Sequence, residues 1–326
     1  MKRTSLVLAC LATLVLVSAP SNATAGGTPQ NGRIVFSRQD PAGEENYTYI
    51  TRADGTVRRL FPGFTSDAPN WSPDGRYVAV ISGLGQGCSP TTTCSGNTVI
   101  IDPSDGSWRA LRPVGLPRVG TFCSLWSPDG SLFACEGGND SDTSVNGMYT
   151  IRSSDGGGLR RITDAGGMND APIAWSPDGT QIVFGRLDAG NCNQRSAIYV
   201  VNVDGSHEHR ITPWGFCDNH GDWSPDGKWI VFAPPGPSIF MVHPDGTGLK
   251  TLQLDTATPG RTFAGDVSWS PDGRKLVMLL FTPVGRPSGD YQEGIATANA
   301  DGTHLHYLTV TPTFDHEADW GARPVG

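Results

Sequence analysis

The chain has 326 residues, a formal net charge of −8 at pH 7 and only 17% charged residues. This scattered acidic balance argues against a nucleic-acid partner, because a negatively charged surface repels phosphate. Glycine (42 residues) and proline (25 residues) are abundant, which is typical of many short strands joined by tight turns and argues against a helical protein.

The first 25 residues have the features of a secretory signal peptide. Lys2 and Arg3 precede a mostly apolar stretch over 5–17, and Ala23-Thr24-Ala25 fits the small-x-small rule for cleavage. A membrane anchor is the alternative, but this apolar run is short for a span of about 20 residues. We therefore predict a periplasmic or secreted protein with no transmembrane span in the mature chain.

One five-residue phrase, Trp-Ser-Pro-Asp-Gly, organises the rest of the chain. Its copies are Trp71–Gly75, Trp126–Gly130, Trp175–Gly179, Trp223–Gly227 and Trp269–Gly273, with a degenerate sixth at Asp319-Trp320-Gly321. Successive tryptophans are 46 to 55 residues apart. A repeat of this period is typical of the four-stranded blades of a β-propeller.

Each repeat predicts four strands. The first ends at the tryptophan, and Ser-Pro-Asp-Gly makes the turn that follows it. The second is apolar throughout, as in Ile182-Val183-Phe184, which indicates burial on both faces. A variable loop leads to the third strand, which ends at a turn such as Asp204-Gly205. The fourth is partly basic, as in His209-Arg210-Ile211-Thr212, and this suits an outer edge that faces water.

The two ends of the chain complement each other. The segment 32–36 is a second strand without a tryptophan strand before it, and Ala318-Asp319-Trp320 is a first strand with nothing after it. We therefore predict an all-β fold, a six-bladed β-propeller closed by the N-terminal strand pairing in the C-terminal blade. The predicted organisation is a signal peptide over 1–25, a linker over 26–31, the propeller over 32–321 and a tail over 322–326. An open solenoid is disfavoured, because neither end has a capping repeat.

The Trp-Ser-Pro-Asp-Gly phrase followed by an Ile/Val-Val-Phe strand resembles the WD40-like (PD40) repeat of the TolB propeller family. The resemblance covers essentially all of 32–321, and similar repeats occur in prolyl oligopeptidase-type peptidases and the tricorn protease. It implies a periplasmic protein that binds other envelope proteins through the propeller, with motif residues that build turns. The α/β domain that precedes the propeller in TolB is not expected, because the first blade begins within about seven residues of the predicted cleavage site.

Polar residues precede the tryptophan in four of the six repeats, at the end of the ring opposite the turns. Inner strands converge on the central channel, so these side chains are expected at its mouth. The predicted binding residues are Asp67, Asp170, Asp218, His220, Asp222, Asp315, His316, Glu317 and Asp319. The segments 121–125 and 265–268 are blander. An alternative is that each aspartate caps its own loop by accepting backbone N–H groups.

Two functions are compatible with this pattern. The first is a monomeric, non-catalytic scaffold without metal or cofactor, which binds an envelope or extracellular protein, peptide or glycan through its loops and channel mouth. The alternative is a metal-dependent lyase or hydrolase that acts on a sugar or peptide. Polysaccharide lyases built on propellers use several histidine ligands, and only His220 and His316 are suitably placed here. The sequence contains no Gly-x-Ser-x-Gly motif, phosphate loop or dinucleotide fingerprint, so no catalytic residue is predicted.

Six cysteines outside the predicted signal peptide indicate three disulfides, which export permits. Their positions favour Cys88 with Cys94 within one loop, Cys123 with Cys135 across one hairpin, and Cys192 with Cys217. Fifteen pairings of six cysteines exist, and buried free thiols are the alternative. Cys10 follows Val7-Leu8-Ala9, as in a lipoprotein cleavage site, but the apolar run continues beyond it.

Overall fold

The architecture is taken from a computed structural model. It describes residues 29–42, 45–51, 56–61, 63–82, 97–111, 120–139, 141–188, 195–216, 220–234, 238–256, 262–283, 291–310 and 313–324. The predicted signal peptide, Asp218 and the cysteines at 88, 94, 192 and 217 lie outside these residues.

The described chain folds into twenty-four strands and one 3-10 turn at Thr143–Val145. In chain order the strands are β1 (Asn31–Gln39), β2 (Asn46–Thr51), β3 (Val57–Arg59), β4 (Ser66–Trp71), β5 (Val78–Ser82), β6 (Asn97–Ile101), β7 (Trp108–Leu111), β8 (Gly120–Trp126), β9 (Leu132–Gly138), β10 (Gly147–Arg152), β11 (Arg160–Arg161), β12 (Asn169–Trp175), β13 (Gln181–Leu187), β14 (Ala197–Asn202), β15 (His209–Arg210), β16 (Gly221–Trp223), β17 (Ile230–Phe232), β18 (Ile239–Val242), β19 (Lys250–Leu252), β20 (Phe263–Trp269), β21 (Lys275–Pro283), β22 (Tyr291–Asn299), β23 (His306–Tyr307) and β24 (Asp315–Ala322). No helix among these residues is long and apolar enough to cross a bilayer.

The strands form six four-stranded antiparallel sheets. Five sheets use consecutive strands and are numbered blades 1 to 5 in chain order, from β4–β7 to β20–β23. The sixth, called the closing blade, has the order β24-β1-β2-β3. In it, Ile34 of β1 lies opposite Trp320 of β24. The prediction of a six-bladed propeller closed by the N-terminal strand is therefore confirmed.

The core lies between the blades. The second strand of each blade is buried on both faces, and every residue of β5 and β17 is buried. A hydrophobic cluster fills each of the six blade interfaces; for example, Ile34 and Phe36 of the closing blade pack against Val277 and Ile295 of blade 5. Complete burial of a side chain such as Phe36 stabilises the fold by about 1.5–3 kcal/mol.

The repeated motif builds the turn between the first and second strands. In blade 4 the Ser224 hydroxyl donates to Asp226 Oδ1 (2.7 Å), which also accepts from the backbone N–H of Lys228 (3.1 Å). Gly227 has φ 74°, a left-handed conformation that glycine adopts at little cost. The same serine–aspartate contact recurs in the other complete copies of the motif, so these residues are structural.

A disulfide joins Cys123 of β8 to Cys135 of β9, with Cα atoms 4.2 Å apart. Both cysteines are buried. The bond therefore ties the inner strand of blade 2 to its neighbour, three residues before Trp126.

Candidate functional site

The inner strands surround a cavity of about 420 Å³ at the axis of the ring. Two tiers of residues supply much of its wall. The upper tier lies three residues before the tryptophans, and the lower tier lies one residue before them. The upper tier contains Ala68, Pro172, His220, Asp266 and Glu317, and the lower tier contains Asn70, Leu125, Asp222, Ser268 and Asp319. All six blades therefore contribute to one site, which the linear sequence distributes over about 250 residues.

The two halves of this cavity differ in chemistry. Blades 4 and 5 and the closing blade supply most of its acids, together with His220. Blades 2 and 3 supply Leu125, Trp126, Pro172 and Ile173, and one carboxylate, Glu136. A ligand in the cavity would therefore contact a charged half and a largely apolar half.

His220 bridges two acids on the polar side. Its Nδ1 lies 3.2 Å from Asp266 Oδ1, and its Nε2 lies 3.2 Å from Glu317 Oε1. The imidazole is 36% exposed, so it faces the cavity while both of its nitrogens contact acids. Each nitrogen is thus within ion-pair distance of a carboxylate oxygen.

A β-bulge presents the upper tier to the channel. Ala68, Asp266 and Glu317 have φ of 49°, 48° and 52°, which is unfavourable for residues with a side chain and costs of order 1–2 kcal/mol each. The strained backbone is held by the neighbouring blade: the Glu317 N–H donates to Asp266 Oδ2 (2.9 Å), and the Ala68 N–H donates to Glu317 Oε2 (2.7 Å). Bulges of this kind redirect side chains at functional sites.

The lower tier connects successive blades through their tryptophan backbones. Asp222 accepts from the N–H of Trp269 (2.8 Å), and Asp319 accepts from the N–H of Trp71 (2.7 Å). The Ser268 hydroxyl lies between the two acids, 3.2 Å from Asp222 and 3.5 Å from Asp319. Burial raises the pKa of Asp222 to about 7 and that of Asp319 to about 6, although these hydrogen bonds favour the charged forms.

Asp67, His316 and Glu317 form a second cluster beside the cavity; Glu317 lines the cavity, and Asp67 and His316 are not among its lining residues. His316 Nε2 lies 3.7 Å from Asp67 Oδ1, and its Nδ1 lies 3.6 Å from Glu317 Oε2. Burial and the neighbouring Glu317 raise the pKa of Asp67 to about 6. Burial acts against ionisation of Glu317 as well, but hydrogen bonds, first of all from His220, outweigh it and lower its pKa to about 2.

This second cluster has the chemistry of a divalent-metal site. One ligand atom from each of Asp67, His316 and Glu317 lies within 4.8 Å of the others. One imidazole and two carboxylates suit Zn²⁺ or Mn²⁺ in kind. However, Glu317 Oε2 already accepts the Ala68 N–H, and Asp67 already accepts from Asn46 Nδ2 (2.9 Å), so a metal would compete with existing hydrogen bonds.

Two predicted binding residues have a different environment. Asp170 and Asp315 are completely buried, and neither is among the residues that line the cavity. Asp170 forms two hydrogen bonds with Arg186 (2.7 and 2.8 Å), and Asp315 forms two with Arg38 (2.6 and 2.8 Å). These aspartates form ion pairs with the second strand of their own blade, and Asp315 also accepts a hydrogen bond from the Thr309 hydroxyl (2.8 Å).

The sequence reasoning missed two cavity residues, Asp266 and Glu136. Asp266 lies in the segment that looked bland, yet it is three residues before its tryptophan, as His220 and Glu317 are. Glu136 continues the apolar second strand that begins Leu132-Phe133-Ala134-Cys135. An acidic residue in a strand that is otherwise buried on both faces could have indicated a functional position. Position relative to tryptophan was thus more informative than local polarity.

Comparison with known sequences identifies one family. The pattern of the TolB beta propeller domain matches residues 112–323. The uncharacterized protein Atu1656 of Agrobacterium fabrum is 30% identical over 266 residues, which cover 67% of this chain and 85% of that protein.

Solved structures share the fold. The putative TolB of Agrobacterium tumefaciens superposes with a TM-score of 0.62 at 20% identity, covering 92% of this chain and 100% of that one. TolB of Acinetobacter baumannii gives 0.65 at 20% identity, over 89% of this chain and 66% of that one. An oligogalacturonate lyase in complex with manganese gives 0.51 at 15% identity, over 87% and 75% of the two chains. At these identities the likeness concerns the fold alone.

Proposed function

Because this chain belongs to the TolB β-propeller family, we propose that it is an exported, non-catalytic binding protein whose channel mouth receives a segment of a partner protein or peptide. The observation that carries the proposal is the cavity itself. It is open at the axis, lined by every blade, and acidic on one side and apolar on the other. Such a surface suits a protruding polypeptide segment that offers both basic and apolar groups.

The hydrogen bonds that the channel carboxylates already accept support binding rather than catalysis. Asp222 and Asp319 accept backbone N–H groups of the next blade, and Glu317 accepts the Ala68 N–H. These bonds hold neighbouring blades together, which gives the three carboxylates a structural role. Family membership adds that TolB-like propellers bind proteins.

The proposal is tested by cross-linking in the cells that make the protein. A photoreactive amino acid at Ser124, which lies in the cavity wall, is expected to give a discrete adduct with a partner protein. The same amino acid at Ser131, in an exposed turn, is the matched control and should not. The double substitution His220→Ala with Glu317→Ala is expected to abolish the adduct, whereas Asp226→Ala at the opposite end retains it. An adduct that survives the double substitution in a folded protein contradicts the proposal.

A second candidate function, a metal-dependent lyase or hydrolase, rests on the cluster of Asp67, His316 and Glu317. It is less well supported, because the cluster offers one imidazole and its carboxylates already accept hydrogen bonds. Elemental analysis of the purified protein separates the two candidates. One equivalent of Mn or Zn that is lost in His316→Ala would favour the enzyme; metal-free protein that retains its partner would favour the binding protein.

A further inference from the structure

Glu136 is the one acid on the apolar side of the cavity, and it differs from the acids on the other side. It lies on β9, next to the disulfide-bonded Cys135 and two residues beyond Ala134, which lines the same cavity. Within the described residues no side chain or backbone group donates a hydrogen bond to its carboxylate, and no cation forms an ion pair with it. By contrast, Asp222, Asp266, Glu317 and Asp319 are all engaged.

The cation in the adjacent blade is not available to Glu136. Arg186 forms its ion pairs with Asp170 (2.7 Å) and Glu208 (2.6 Å). Burial raises the pKa of Glu136, and the negative charge of the nearby Asp170 raises it further. Asp170 therefore opposes ionisation of Glu136. Two acids therefore share one guanidinium, and Glu136 faces the cavity with no counter-charge.

We propose that Glu136 is the counter-ion for a cationic side chain, guanidinium or ammonium, that a binding partner inserts into the apolar half of the channel. Leu125, Pro172 and Ile173 line that half and would contact the alkyl stem, while the charged head reaches the carboxylate. A bare metal ion is a poorer occupant, because one carboxylate among apolar side chains supplies too few ligands. The inference rests on the proposed function, since it names the chemical group that the channel recognises.

Ionisation supports the same assignment. Burial, followed by the charge of Asp170, raises the pKa of Glu136 to about 7. The free protein therefore holds this group partly protonated near neutral pH, and an incoming cation favours its charged form. Binding is thus expected to release a proton and to strengthen as pH rises through about 7.

Two small isosteric probes test the inference: butylguanidinium, which is charged, and butylurea, which is neutral. Binding is followed by the indole N–H resonance of Trp126, which lies in the cavity wall; Trp126→Phe assigns the signal. The wild-type protein should bind butylguanidinium more tightly than butylurea. Glu136→Gln should weaken butylguanidinium at least tenfold, leave butylurea unchanged, and reduce the rise in affinity with pH; the rise that remains comes from Asp222 and Asp319, which line the same cavity and whose pKa values burial also raises.

Glu293→Gln is the matched control, because burial also raises the pKa of Glu293 but this residue does not line the cavity. It should bind both probes as the wild type does. Equal affinity of wild type and Glu136→Gln for butylguanidinium overturns the inference. If neither probe binds the wild type while the Ser124 cross-link persists, the inference fails and the proposed function stands. If the photoreactive amino acid gives the same adduct at Ser131 as at Ser124, or if the adduct survives the double substitution, the proposed function is overturned instead.

Discussion

Asp178 of a turn and the channel aspartates Asp222 and Asp319, at opposite ends of the ring, have opposite tendencies to ionise. At the turn end, the Ser176 hydroxyl and the backbone N–H of Thr180 lower the pKa of Asp178. At the channel end, burial raises the pKa of Asp222 to about 7 and that of Asp319 to about 6. Both environments supply hydrogen bonds, so the number of donors does not explain the difference. Burial decides it for Asp222 and Asp319, because the desolvation of a charge outweighs their few hydrogen bonds, whereas at Glu317 the contacts with His220 and its other partners outweigh burial.

The donors also come from different places. Asp226 is bonded by groups two residues away in the same turn, whereas Asp222 accepts from Trp269, 47 residues further along the chain. The turn aspartates therefore stabilise one local conformation. The channel aspartates connect neighbouring blades, and they have this role only once the ring is assembled. The predictions below test this contrast.

The largest expected difference is between Asp222→Ala and Asp226→Ala. Asp222→Ala leaves the N–H groups of Trp223 and Trp269 without an acceptor at a buried position, and should lower the free energy of unfolding by about 2–4 kcal/mol. Asp226→Ala removes the hydrogen bonds of a half-exposed carboxylate and should cost about 1 kcal/mol or less. Urea unfolding of both variants measures the difference; similar values would show that the channel acid has no special role between blades.

The next effect concerns pH. The folded-state pKa of Glu136 is about 7, above its ordinary value of 4.5, so the unfolded chain loses this proton first as pH rises. Stability should therefore fall between pH 4.5 and 7, by up to about 3 kcal/mol from this group. Glu136→Gln should flatten that part of the stability curve and be more stable than the wild type at pH 8. Urea unfolding at several pH values tests this, and a parallel pair of curves would contradict it.

The turn end should show a smaller effect of opposite sign. The pKa of Asp178 is lowered in the folded state, so its contribution is present above its ordinary value of 3.8 and is lost as pH falls through the folded value. Asp178→Asn should reduce the loss of stability in acid by less than about 1 kcal/mol, because solvent screens the group. Acid unfolding followed by tryptophan fluorescence measures it. Greater acid sensitivity in the variant would be the contrary result.

The smallest effect comes from the backbone of the bulge. The turns place glycine at positive φ, whereas the channel end places Ala68 there at 49°. Ala68→Gly relieves that conformation but increases the entropy of the unfolded chain, so a net gain of about 0.5 kcal/mol is expected. Ala79→Gly, in the buried β5 strand, is the control and should destabilise the protein. Thermal unfolding compares the two, and a loss in both would argue against strain at Ala68.

The fold could be read from the sequence because its determinants are local. The Ser-Pro-Asp-Gly turn, the apolar second strand and the unmatched ends at Ile34 and Trp320 each carry their own signal. The site could be read only in part, because partners lie far apart. Asp315 pairs with Arg38, 277 residues away, whereas Asp67, one position nearer its tryptophan, contacts His316, and the polarity of the two segments does not reveal either partner. Which side chains become buried, and which groups they pair with, depends on contacts that form only when the ring closes, and the local motifs do not encode them.

The closing blade also sets the order in which the molecule can be completed. Blades 1 to 5 use consecutive strands and can assemble as the chain is synthesised, whereas β1 must wait for β24, almost 300 residues later. Until then the protein is an arc with two unpaired edges, which are sites for association with other chains. The docking of β24 carries the largest loop-closure entropy, so we expect it to be the slow step of folding. Removal of the last ten residues should therefore give a chain that aggregates rather than a propeller with one strand fewer.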